Sequence, residues 1–184
     1  MTSANAARPL PDNLSQLLGR AALAYADRPA LTSGETTLTY HELDGLVTAL
    51  AAGLQGLGVR PGDRVALHLP NCPQFVLAYF AASRAGALVV PINSLLAGEE
   101  IAYILQHSGA TVLISIDALS ASATEAVAQV PGLKHFVVSG ENRPAGTFAF
   151  EALLAPPPAP PRFPEAAPDD VAVLKYTSGT TGRP

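Results

Sequence analysis

The chain of 184 residues has no tryptophan, one methionine and one cysteine, Cys72. A lone cysteine excludes an internal disulfide and a zinc site built from several cysteines, and it fits a reducing compartment. Placed just ahead of Pro73 at an expected helix start, Cys72 reads as a small buried filler rather than a nucleophile. Charge is scarce as well: Asp, Glu, Lys and Arg make up 14% of residues, against about 25% in an average domain. That scarcity suggests surface destined for burial, although alanine-rich composition contributes to it. The 11 basic and 15 acidic side chains leave a net charge of −4. With no block of basic residues, nucleic acid and anionic membranes are disfavoured as partners. Long apolar runs are missing too. The most apolar stretch, Phe75 to Ile92, is interrupted by Arg84, Gly86 and Pro91, so no transmembrane segment is expected. The first residues lack the charged-then-apolar layout of a signal peptide. A soluble, cytoplasmic protein is the expectation.

What is present alternates between helix and strand patterns. Residues 1–12 read as a flexible lead-in, and 13–184 as part of one α/β domain. Asn13 is the expected cap of a helix carrying Leu14, Leu17, Leu18, Ala21 and Ala24 at helical spacing. Pro29 to Thr32 and Thr36 to Leu38 flank Ser33-Gly34-Glu35 as a hairpin. Thr39 and Glu42 form a capping box ahead of Leu43, Leu46, Val47, Leu50, Leu54 and Leu57, one apolar face of a helix ending at Gly58. The turn Arg60-Pro61-Gly62-Asp63 leads into Arg64 to Leu69, nearly continuous in apolar character, as an interior parallel strand should be.

Three further pairs follow: a helix from Pro73 to Ala85 with strand Ala87–Pro91, a helix from Glu99 to His107 with strand Thr111–Ile116, and a weak helix from Ser120 to Gln129 with strand His135–Ser139. This order predicts a layered α/β fold with a mainly parallel sheet flanked by helices. Residues 155–168, rich in proline, read as an extended connector. They lead to Val171-Ala172-Val173-Leu174, which reads as a buried strand.

Several chemistry-bearing side chains have ordinary structural readings. His68 lies in an apolar strand, as a core histidine would. His41, His107 and His135 are scattered without ligand spacing, so no metal site is expected. Glu99 and Glu100 suit the first turn of a helix, where acids favour the helix dipole. Phe75, Tyr79 and Phe80 at helical spacing point to core rather than pocket.

The chemistry concentrates at the end of the chain, in a phosphate loop over 176–184. Tyr176 to Pro184 follow the last apolar run with small hydroxyl residues and glycines, a composition suited to cradling phosphate through N–H and hydroxyl donors. It is not a Walker A loop, because Gly179 and Gly182 are too close and Arg183-Pro184 stand where Lys-Ser/Thr is required. No Gly-x-Gly-x-x-Gly follows the first strand, which disfavours a dinucleotide-binding oxidoreductase.

The block Lys175 to Pro184 resembles the signature loop of the adenylate-forming (ANL) superfamily, which includes acyl-CoA synthetases and peptide-synthetase adenylation domains. Leu38-Thr39-Tyr40-His41-Glu42-Leu43, Gly58 to Ala66, Leu69 to Phe75, Arg84 to Ala87, Val90 to Asn93 and Glu100 to Leu105 are similar to further blocks of that family, in order. The resemblance implies the N-terminal part of the large AMP-binding domain of an acyl-CoA synthetase. A carboxylate would attack the α-phosphate of ATP, and coenzyme A would then take the acyl group, with Mg²⁺ assisting. It implies an ATP phosphate-binding role for Thr177, Ser178, Gly179, Thr180, Thr181 and Gly182.

Lys175 departs from the family, which usually keeps an apolar residue or Gln there; exposure on an edge is the expectation. The family's Mg²⁺ ligand, its adenine contacts and its catalytic lysine match no residue in this chain. No catalytic residue is therefore assigned, and the chain alone is expected to be inactive and to hold no cofactor tightly. Fatty acids, including long-chain ones, and aromatic and short-chain acids all remain candidate substrates. The alternatives are a peptide-synthetase-type adenylation domain and a non-catalytic short form acting as an interaction module. Self-association or dimerisation through exposed apolar surface is a further expectation.

Overall fold

The computed structural model describes residues 14–167 and 169–177. Five parallel strands form the main sheet, in the order β4-β3-β5-β6-β7. They are β3 (Arg64–His68), β4 (Leu88–Ile92), β5 (Val112–Ile116), β6 (His135–Ser139) and β7 (Phe148–Ala149). A separate antiparallel hairpin pairs β1 (Pro29–Ser33) with β2 (Thr36–Thr39). The layered, parallel α/β architecture expected from the alternation of helix and strand is the one observed.

Helices cover both faces. They are α1 (Leu14–Tyr25), α2 (Tyr40–Gly56), α3 (Pro73–Arg84), α4 (Gly98–Ser108) and α5 (Ser120–Val127). Strand alternation divides the core in two. Val65 and Leu67 of β3 join Val89, Val112, Ile114 and Val137 against α2 and α3, whereas Ala66 joins Val90, Leu113 and Val138 against α4 and α5. Because both faces are covered, the strands read as continuous apolar runs rather than alternating ones.

Local chemistry sets the boundaries. Thr39 Oγ1 accepts from Glu42 N–H at 3.2 Å, and Glu42 Oε2 accepts from Thr39 N–H at 2.8 Å, so the expected capping box starts α2. Gly109, at φ 63°, closes α4 in the left-handed conformation. The orphan carbonyls of that helix end meet Arg64, whose Nε and Nη2 donate to Ser108 O and Gly109 O, both at 2.7 Å. At the start of α4, Glu100 Oε2 accepts from Ala97 N–H at 2.9 Å, while the Ala97 methyl group has no acceptor to return a bond.

Three expectations need correction. In α1 the buried residues are Leu18 and Ala22, whereas Leu17 and Ala24 are exposed; the helix turns a narrower stripe to α2 and α3 than its apolar spacing suggests. The expected cap Asn13 lies outside the described residues. Beyond β6, the two-residue β7 and a 3₁₀ turn, Glu151–Leu154, had no pattern by which to be foreseen. That turn packs on α2 at Gly53, where an added Cβ would come within 2.8 Å of the Leu153 carbonyl.

The third correction concerns Val171 to Leu174, which is not a buried strand. Val173 makes an isolated parallel bridge to Val89 on the outer edge of β4, and Val171 and Ala172 are exposed. Val89 N–H donates to Ala172 O and Leu174 N–H to Val89 O, both at 2.9 Å. The next edge-facing donor in a parallel ladder would be residue 91, and it is a proline with no N–H. Pairing therefore stops after Leu174. No helix among the described residues is long and apolar enough to cross a membrane.

Candidate functional site

In a parallel sheet, ligands gather outside the carboxyl ends of the strands. At that end of β3 and β4 the chain leaves the sheet through Leu69-Pro70-Asn71 and Asn93-Ser94-Leu95. Pro73 starts α3 without a side-chain cap from Cys72. Asn93 folds the second exit as a side-chain turn, its Oδ1 accepting from Leu95 N–H at 3.0 Å. Between the two exits lies an open cleft of about 620 Å³, lined by Asn71, Phe75, Asn93 and Ser94 together with Lys175 and Tyr176. The edge segment thus delivers the beginning of the expected phosphate loop to this cleft.

Of the expected phosphate-binding residues, only Thr177 falls within the described chain, where it is exposed and outside any regular element. Ser178, Gly179, Thr180, Thr181 and Gly182 lie outside the described residues, as does Arg183. Lys175 is exposed, as expected for a charge on a sheet edge, and it contributes to the cleft wall. Phe75, Tyr79 and Phe80 pack against the core, yet Phe75 also faces the cleft, so it belongs to both.

Two other hollows are less suited to phosphate chemistry. A largely apolar groove of about 540 Å³ lies at the amino end of β4, between Gly62, Gly86, Leu88 and the connector residues Pro164 to Ala167. It sits at the opposite end of the sheet from Lys175 and Tyr176. A smaller hollow of about 310 Å³ lies between the hairpin and the start of α3, where it meets Cys72. Cys72 is half-buried with its sulfur free and packs against the core, less enclosed than the small buried filler expected.

His68, the last residue of β3, is fully buried. Its Nδ1 lies 3.4 Å from Ser115 Oγ on β5, and its Nε2 has no hydrogen-bond partner among the described residues. The expected core histidine is thus present but only half satisfied. Burial holds its pKa below the usual imidazole value, and the nearby Ser94 backbone opposes that shift.

His107, near the end of α4, stands differently. Its Nδ1 is 2.8 Å from the Tyr176 hydroxyl, and Tyr103 stacks on its other side. Tyr103 and His107 are one helical turn apart on α4, and the fold brings Tyr176 to them from 69 positions further on. No group of three His, Cys, Asp or Glu among the described residues could hold a metal ion. A magnesium ion held mainly by substrate phosphates and water would need only one or two protein oxygens and no such cluster. Asn93 and Ser94 were not singled out from sequence as site residues; their position immediately after a parallel strand is the signal that points to them.

Comparison with known proteins identifies the class. Residues 18–184 match the family described as AMP-binding enzyme, and the chain belongs to that family. A crotonobetaine/carnitine–CoA ligase of Salmonella paratyphi A is 36% identical over 181 residues, covering 94% of this chain and 35% of the relative. The crystal structure of an anthranilate CoA ligase in complex with anthranoyl-AMP superposes with a TM-score of 0.89 at 30% identity, over 100% of this chain and 35% of that one. A benzoate CoA ligase from Burkholderia xenovorans LB400 gives a TM-score of 0.78 at 28% identity, over 88% of this chain and 32% of that one. The chain thus spans about a third of the length of these similar proteins.

Proposed function

We propose that the chain is the N-terminal portion of an ATP-dependent acid–thiol ligase of the acyl-CoA synthetase type. A carboxylate oxygen attacks the α-phosphorus of ATP, pyrophosphate leaves, and an acyl-adenylate forms. The sulfur of coenzyme A then attacks the acyl carbon, AMP leaves, and the thiol proton is released. Negative charge grows on phosphate oxygens in the first step, so donors fixed around the leaving pyrophosphate lower its barrier. Thr177, Ser178, Thr180 and Thr181 supply hydroxyls, and Gly179 and Gly182 let the backbone approach.

The observation that carries this reading is the arrival of Lys175 and Tyr176 at a cleft outside the carboxyl ends of β3 and β4, in a chain of the AMP-binding family. The remaining machinery belongs, on this reading, to the rest of a longer protein. The 184-residue chain alone is inactive. A cytoplasmic location fits ATP and coenzyme A as substrates.

The acid is best sought by panel. Similar proteins are described as ligases of crotonobetaine or carnitine, anthranilate and benzoate, so these acids and hexadecanoate form the first set. The test incubates the full-length protein with magnesium, ATP, coenzyme A and each acid, and measures thioester by mass spectrometry. ATP-dependent thioester from at least one acid supports the proposal. Acyl-adenylate that accumulates without passing to coenzyme A points instead to a carrier-linked adenylation domain. Neither product from any acid contradicts both readings.

A further inference from the structure

Backbone pairing and side-chain anchoring hand over to each other at the end of the described chain. The ladder to β4 ends at Leu174, because Pro91 has no N–H to extend it. Two residues later the Tyr176 hydroxyl meets His107 Nδ1 at 2.8 Å. The two rings meet edge to face with centroids 5.7 Å apart, and Tyr103, one helical turn before His107, stacks on it at 5.7 Å and 22°. Tyr176 and Tyr103 also pack against the apolar cluster between the sheet and α4. After Leu174, then, this three-ring clamp fixes the path of the chain, and the residue beyond it is Thr177.

We infer that His107 is a positioning residue for the phosphate loop, acting through Tyr176. Rooted in α4, it sets where the chain leaves the sheet edge and enters the loop. A rigid side chain on a helix positions a neighbouring loop more tightly than the loop can position itself. The hydrogen bond survives a change of tautomer, since the tyrosine hydroxyl can donate to an unprotonated Nδ1 or accept from a protonated one. His107 touches no substrate in this scheme. The inference rests on the proposed ATP-binding role of the loop.

The experiment measures the Kd of MgATP by calorimetry on the full-length protein and on His107→Ala, Tyr176→Phe, the double variant and His107→Asn. Asn places an amide atom near the position of Nδ1. Losing one such hydrogen bond weakens MgATP binding about threefold to tenfold in each single variant. The double variant should be no weaker than the singles, because both remove one contact, and His107→Asn should recover part of the loss. Melting temperatures report whether each variant remains folded; Tyr176→Phe keeps the ring and its packing and therefore serves as the conservative variant. Wild-type affinity in folded His107→Ala and Tyr176→Phe overturns the inference while leaving the ligase reading intact. Additive losses in the double variant also overturn it. Failure of the wild-type protein to bind MgATP removes the ligase reading and this inference together.

Discussion

The Arg84 guanidinium lies 2.5 Å from the Asp44 carboxylate, joining the end of α3 to the first half of α2. Its other amino group, Nη1, donates to Thr48 Oγ1 at 2.6 Å and to Asp44 O at 3.2 Å. Arg84 is 9% exposed and Asp44 is more open, with a side chain 28% exposed. Removing one partner of such a pair leaves the other poorly solvated. Arg84→Ala should therefore destabilise the chain by about 2 to 3 kcal/mol, discounted for the exposure of Asp44. Asp44→Asn, which keeps the acceptor, should cost less. Urea denaturation of both variants checks the order.

The capping box offers a smaller and separable effect. Thr39→Ala removes the side-chain acceptor for Glu42 N–H and should cost about 1 kcal/mol. Hydrogen bonds from the Thr39 backbone, and then its hydroxyl, hold the Glu42 carboxyl below its usual pKa. The stability this provides is present above the ordinary carboxylate range and is lost as pH falls through the lowered value. Thermal melts from neutral pH into the acid range should show a shallower acid loss in Thr39→Ala than in wild type.

His68 adds a loss of stability in the same direction, beginning at higher pH. Its burial disfavours the charged ring, so the unfolded chain binds the proton more readily than the folded one. Stability should fall as pH drops below the usual imidazole value of 6.5 toward the lower folded-state value. A His68→Leu variant should lose this dependence. Melting curves between neutral and mildly acidic pH give the answer, and an unchanged slope in the variant would contradict the assignment.

Pro91 is predicted to limit the edge pairing. In Pro91→Val the new N–H faces Leu174 O, one step beyond the existing pair of bonds. Its amide should exchange slowly with solvent, and the amide of Leu174 should become better protected than in wild type. Hydrogen exchange followed by NMR reads both. Fast exchange at residue 91 would show that something other than the missing donor ends the ladder.

The contrast between these sites explains what the sequence made visible. The capping box, the apolar face of α2 and the interior strand β3 are local patterns whose tertiary context agrees with them, so their boundaries were foreseen within about two residues. Val171 to Leu174 failed because an apolar run does not say whether a strand will find a neighbour on both sides, and here Pro91 denies it a full ladder. The short β7 and the turn at Glu151–Leu154 carry no periodicity, since they are held by tertiary packing on Gly53 and by Ser139 Oγ donating to Glu151 Oε1 at 2.6 Å. The proposed phosphate loop was recognisable by its resemblance to the signature of a family to which the chain belongs. Its anchor was not, because His107 and Tyr176 are 69 positions apart and nothing local links them.

ATP–pyrophosphate exchange tests the central claim most directly, run side by side on the full-length protein and on the 184-residue chain. Acid-dependent exchange by the full-length protein, and none by the chain alone, is the predicted result. Exchange by the isolated chain would contradict the assignment of the remaining machinery to the rest of the protein, and no exchange by the full-length protein with any acid would contradict the ligase itself.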